Sequence, residues 1–169
     1  DTRVGAVTFT GGTATGRHIA ESMAPSFRKV SLEMGGKNPT IIFEDADLEP
    51  SISTAAAAAF ANQGEICLCG ERLLVHEDIY EQVVKGLCRQ AAALKIGDPL
   101  ESETQFGALV SSEHRDRVEA MIQRAREEGG QIIQGGSRPD GLPDHCRDGF
   151  FLEPTVITGL DMTARTNQE

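Results

Sequence analysis

The segment Asn62-Gln63-Gly64-Glu65-Ile66-Cys67-Leu68-Cys69 sets a cysteine just past a glycine break, close behind a run of five alanines. A thiolate attacks carbonyl carbon readily, so Cys67 could hold a substrate as a thiohemiacetal or thioester. Upstream, Ser31-Leu32-Glu33-Met34-Gly35-Gly36-Lys37-Asn38-Pro39 places a carboxylate, Glu33, ahead of a glycine pair. Further upstream, Thr10-Gly11-Gly12-Thr13-Ala14-Thr15-Gly16 follows an apolar run and opens a helical pattern. Such a turn lets backbone approach a ligand beside a helix N-terminus. Each feature also has a plain reading. A cysteine in an α/β chain is often a small buried hydrophobe. Glu33 reads as a strand-end carboxylate, and Gly11-Gly12-x-x-x-Gly16 departs from the G-x-G-x-x-G fingerprint.

The remaining cysteines add little chemistry. Cys69 could form a reversible sulfur link or pack, and packing is the favoured reading. Cys88 lies beside an apolar helical stripe and is expected in the core. His145-Cys146 finds no partner pair at ligand spacing, so no metal site is expected. Four cysteines this scattered do not make a disulfide framework in 169 residues. Free thiols in a reducing, cytoplasmic compartment are the simpler expectation. No run approaches membrane-spanning length. A net charge of −10 argues against nucleic acid or an anionic membrane as partner. With 39% hydrophobic and 25% charged residues, the chain reads as globular. It opens on Asp1-Thr2-Arg3 without a secretory h-region or an initiator Met, as expected of a processed product or a piece of something longer.

The elements that must position these groups alternate. Residues 4–9 read as a buried strand, followed by a helix with Ile19, Met23 and Phe27 on one face. Residues 29–33 and 40–43 are strands, separated by Gly35-Gly36, where a change of domain is expected. Asp47 is the expected cap of an Ala-rich helix with Pro50 in its first turn, ending near Gly64. A strand at 72–76 precedes a capping box, Asp78-x-x-Glu81, and a helix burying Ile79, Val83, Leu87, Ala91 and Leu94. Another helix, from about Ser112 to Glu128, buries Val118, Met121, Ile122 and Ala125. Strands are expected at 131–134 and 150–157. The fold class is α/β, with parallel-sheet layers and flanking helices.

Phe9 to Gly16, Leu32 to Lys37 and Asn62 to Cys67 resemble three successive signatures of the NAD(P)-dependent aldehyde dehydrogenase superfamily, in order and at family spacing. The Phe-x-Glu-Pro-Thr-Val run that begins at Phe151 resembles a fourth. The Ile-Cys-Leu-Cys form, with Gly35 to Pro39, is most similar to members acting on muconic-semialdehyde-type substrates from aromatic-ring degradation. The resemblance implies that Cys67 is the nucleophile, that its backbone N–H faces the developing oxyanion, and that Glu33 is the base activating water. It implies NAD or NADP as cofactor, near Phe9, Gly11, Gly12, Gly16 and Met34. Position 12 is often Ser in relatives, and Gly12 removes a hydroxyl that could contact phosphate.

By the same resemblance, residues 1–36 are the end of a dinucleotide-binding domain carrying the catalytic Glu, and residues 37–169 begin the catalytic domain. Family members are much longer and are expected to form homo-oligomers on a small aldehyde substrate. The 169 residues alone are therefore expected to be inactive or nearly so. Two other readings remain: a non-catalytic ligand-binding or interaction module that keeps part of the fold, and, behind it, a thiol hydrolase, for which no histidine motif is visible.

Overall fold

A computed structural model describes residue 1 and residues 3–168; Thr2 and Glu169, at the opening triplet and the chain end, lie outside the described residues. Two compact units emerge, Asp1–Gly36 and Lys37–Glu169. In the first, β1 (Ala6–Gly11) and β2 (Lys29–Met34) pair in parallel, with Val7 opposite Val30 and Phe9 opposite Leu32. Parallel neighbours need a crossover, here the helix α1 (Thr13–Met23). Half-buried and exposed residues alternate strictly along β1, as the two-residue period of a pleated strand requires. Phe27 does not join the helix face. Pro25 cannot continue an α-helix; a 3-10 turn (Ala24–Ser26) follows instead, and Phe27 takes a left-handed conformation, φ 51°, with 95% of its surface exposed.

The second unit opens with another parallel pair, β3 (Pro39–Ile42) and β4 (Arg72–Val75), bridged by α2 (Leu48–Phe60). Pro50 sits in the first turn of α2, where its missing N–H has no intrahelical partner to lose. Asp47 holds the N-cap position, yet its side chain makes no capping bond. The small side chains of Ala55 and Ala56 are buried, and α3 (Tyr80–Ala93) packs on the same helix. A Cβ on Gly86 of α3 would stand 2.8 Å from the Ile52 side chain. The expected stripe is buried at Ile79, Val83, Leu87 and Ala91, whereas Leu94, the extended C-cap residue, is only half-buried. Its start differs from the capping-box expectation. The His76 ring accepts the Asp78 N–H through Nδ1 at 3.4 Å, capping a 3-10 turn (Glu77–Ile79) that leads into α3. A ring nitrogen one turn earlier thus does what Asp78 was expected to do.

Ser111 caps α4 (Ser112–Glu127) by accepting the His114 N–H at 3.2 Å. β5 (Gln131–Gln134) and β6 (Val156–Thr158) pair antiparallel, with a register irregularity between Ile132 and Gln134, and the short α5 (Arg165–Gln168) follows. Residues 150–155 are not the strand expected for them. Pro154 has no N–H to give a ladder, and neighbouring backbone groups bond to loops: Leu109 N–H donates to Phe150 O, and Glu153 N–H to Ser137 O. Apolar clusters close the unit, one joining Ile42, Ile52, Ala55, Ile79 and Val83, another Leu109, Ile122 and Leu152. Among the described residues no helix is long and apolar enough to cross a membrane.

Gly135 is what lets residues 150–155 lie close. Its φ is +69°, and a Cβ there would fall on the Pro154 carbonyl. Gly135→Ala is therefore expected to destabilise the protein by roughly 2–4 kcal/mol, combining a left-handed alanine with an overpacked contact. A denaturant midpoint unchanged from wild type would contradict this.

Candidate active site

α2 ends at Phe60, earlier than the glycine break suggested. The chain then passes through a 3-10 turn (Ala61–Gly64) in which three successive residues are left-handed: Asn62 at φ 49°, Gln63 at 58° and Gly64 at 78°. Asn tolerates this region and Gly favours it, whereas Gln63 is strained there. Its amide is anchored, donating from Nε2 to Ala108 O at 3.3 Å. Left-handed residues of this kind concentrate at functional turns, held by the structure around them. Here they reverse the chain out of the helix and deliver Cys67 on the next tight turn, closed by Cys69 N–H on Ile66 O at 2.9 Å.

Cys67 is exposed, and it differs in this from every other cysteine of the chain. Cys69 is only 2% exposed, with its thiol 3.8 Å from Ala61 O. Packing is its role, as the sequence favoured. Cys88 is half-buried and Cys146 buried; burial pushes both thiols up, and Asp98 adds to the effect at Cys146. All four are free thiols.

The turn is clamped from the side by a residue to which the sequence reading gave no role. Asn38, immediately before β3, donates from Nδ2 to Cys67 O at 2.7 Å and to Cys69 O at 3.1 Å. The neighbouring backbone reinforces the clamp: Arg72 N–H reaches Asn38 O at 3.2 Å, Arg72 Nε reaches Lys37 O at 2.8 Å, and Lys37 pairs with Glu71 at 3.1 Å. One end of the β3–β4 pair therefore fixes the nucleophile candidate. Glu65, two residues before it, meets His114 Nε2 of α4 at 2.8 Å, a second tether that spacing along the chain does not show. Asn38→Ala is expected to cost about 0.5–1.5 kcal/mol, the usual net worth of hydrogen bonds to carbonyls that are exposed or only part-buried. Hydrogen exchange of the residue 66–69 amides is expected to accelerate; unchanged protection would show that the clamp does not hold the turn.

Glu33 lies on β2 of the first unit, exposed and in register with Thr10. The same unit gathers the glycine turn. A Cβ on Gly11 would stand 2.5 Å from the Phe9 ring, and one on Gly16 would stand 2.6 Å from Met34 Sδ, so both glycines let these side chains lie close. Gly16 is buried in this way against β2, while Gly12 faces open space and is the N-cap of α1. Its helix start has neither a capping side chain nor an acidic residue in the first turn. Free N–H groups at a helix N-terminus, without a competing carboxylate, suit an electron-rich ligand group. Phe9, Gly11, Gly16 and Met34 thus come together around a turn whose open side is Gly12.

Two parallel βαβ units, an exposed thiol on a clamped turn and a glycine-lined helix start define a class. A match to the aldehyde dehydrogenase family spans residues 1–169, and the chain belongs to that family. It is 42% identical over 167 residues to 5-carboxymethyl-2-hydroxymuconate semialdehyde dehydrogenase of Escherichia coli, covering 98% of this chain and 35% of that protein. To 2-aminomuconic semialdehyde dehydrogenase of Bos taurus it is 44% identical over 155 residues, covering 91% and 32%. Betaine aldehyde dehydrogenase of Staphylococcus aureus, solved in complex with NAD+, superposes with a TM-score of 0.93 at 40% identity, over 98% of this chain and 33% of that one. The chain therefore spans about a third of the length of the relatives it matches. Muconic-semialdehyde enzymes recur among them, in keeping with the subfamily read from Ile66 to Cys69.

Proposed function

We propose that these residues are the catalytic segment of an NAD(P)-dependent aldehyde dehydrogenase, in which Cys67 is the nucleophile and Glu33 the general base. The observation that carries this reading is the exposure of Cys67 on a turn clamped by Asn38, beside cysteines that are wholly or partly buried. The first unit is then the end of a dinucleotide-binding domain, and the second the start of the catalytic domain.

Cys67 Sγ adds to the aldehyde carbon, and the carbonyl oxygen becomes an oxyanion that the Cys67 backbone N–H helps to stabilise. The dinucleotide, when bound, supplies the hydride acceptor. Loss of hydride from the tetrahedral carbon leaves a thioester on Cys67. Glu33 takes a proton from water, the resulting hydroxide attacks the thioester carbon, and the C–S bond breaks to release the carboxylic acid and the thiolate. Phe9, Gly11, Gly12, Gly16 and Met34 would hold the dinucleotide, at a turn that opens α1 without a capping side chain. NAD+ is bound in the Staphylococcus relative, which supports the cofactor assignment. A semialdehyde of aromatic degradation is the favoured substrate, since relatives of that kind match at about 40% identity. A betaine aldehyde dehydrogenase of Bacillus subtilis matches at 39% over 163 residues. The isolated chain is inactive in this reading, and the full-length protein is a soluble cytoplasmic homo-oligomer.

Competitive alkylation of the full-length protein, read by peptide mass spectrometry, tests the assignment. Cys67 is expected to react first, because thiolate character and access control the rate and burial raises Cys88 and Cys146. Comparable slow labelling at all four cysteines would instead favour a non-catalytic interaction module.

A further inference from the structure

Two loops far apart in sequence meet at Asp98, His145 and Cys146. Asp98 stands beyond α3, at the mouth of the loop closed by the Ile96–Phe106 bridge, and its Oδ1 accepts the Leu100 N–H at 2.9 Å. His145 and Cys146 end a 3-10 turn (Asp144–Cys146) pinned by Cys146 N–H on Pro143 O at 2.8 Å and Gly149 N–H on Cys146 O at 2.9 Å. His145 Nε2 lies 2.8 Å from Asp98 Oδ2, and the carboxylate oxygen, imidazole nitrogen and thiol sulfur all fall within 4.8 Å of one another. Spacing along the chain concealed this set, because the third ligand comes from 47 residues away.

We propose that Asp98, His145 and Cys146 form a three-ligand site for a borderline divalent transition metal, with Zn2+ the best match. The donor set decides the metal. Calcium and magnesium take oxygen ligands, whereas one thiolate, one imidazole and one carboxylate suit zinc. Ligand atoms around tetrahedral zinc stand roughly 3.3–3.8 Å apart, given bonds of about 2.0–2.3 Å. The nitrogen–oxygen pair must open by about half an ångström and the sulfur close in, movements within side-chain reach. Asp98 is oriented by its Leu100 hydrogen bond, as metal carboxylates commonly are by an outer partner. Its side chain is 19% exposed and that of His145 64%, so one side of the cluster is open to a water that completes four-coordination. Binding replaces the Cys146 S–H bond with a metal–sulfur bond and releases one proton to solvent, with no redox change. The site is separate from Cys67 in sequence and in role.

Cobalt(II) titration of the full-length protein, stripped of metal, tests the proposal, since a cobalt–thiolate bond gives a charge-transfer band in the near ultraviolet. One equivalent is expected to produce the band, and one equivalent of Zn2+ to abolish it. The band is expected to persist in Cys67→Ser and to vanish in both His145→Ala and Cys146→Ser. His145 is exposed, so its variant keeps the test valid if Cys146→Ser folds poorly. No band in the wild type, a band that survives His145→Ala, or a band lost in Cys67→Ser would each overturn the proposal.

Discussion

Cys67→Ser in the full-length protein is expected to abolish aldehyde oxidation, lowering kcat by about 10^4- to 10^6-fold, the scale seen when a catalytic nucleophile is removed. A serine hydroxyl in the same place is far less ionised than a thiol, so little of the adduct forms. Stability is expected to move by no more than about 0.5 kcal/mol, because the residue is exposed. Steady-state absorbance of the reduced cofactor, paired with a denaturant midpoint, separates the two effects. Substantial turnover in a folded Cys67→Ser protein would sink the nucleophile assignment.

Glu33→Gln is the second large effect, and its signature is kinetic. If Glu33 serves only to activate water, formation of the thioester survives its loss. Stopped-flow traces are then expected to show a burst of reduced cofactor near one equivalent per active site. A steady-state rate lowered by about 10^2- to 10^4-fold follows, the usual contribution of a general base. Glu33 is exposed on β2 and opposite Thr10, so glutamine fits without steric cost. Loss of the burst together with the turnover would place Glu33 before hydride loss and refute its assignment to hydrolysis.

What the sequence could show depended on whether the signal was local. The stripe of Ile79, Val83, Leu87 and Ala91 was legible because helical period alone selects a buried face. Gly135 and Pro154 are each visible as residue types, but their mutual contact across a loop is not, so the strand expected at 150–157 holds only at Val156 and Ile157, while residues 150–155 bond to loops. The same limit explains the site. Cys67 and Glu33 stand inside dense local motifs. The clamp that fixes Cys67 comes from Asn38, and its second tether runs through Glu65 to His114 on α4; both are contacts across the fold. His76 in place of the capping box is a smaller case, because an imidazole accepting a backbone N–H has no compositional signature.

The left-handed trio before Cys67 bears on how this protein can diversify. Asn62 tolerates a positive φ, whereas holding Gln63 there stores strain of about 1–3 kcal/mol, offset by the bond of its amide to Ala108. A β-branched residue at either position would raise that strain sharply. Glycine would relieve it, but would also enlarge the conformational freedom of the unfolded chain and loosen the approach to the thiol. Neutral drift therefore has few routes through these positions. In the proposed reading, substrate preference varies more readily on surfaces that leave this corner untouched, while the chemistry assigned to Cys67 is kept.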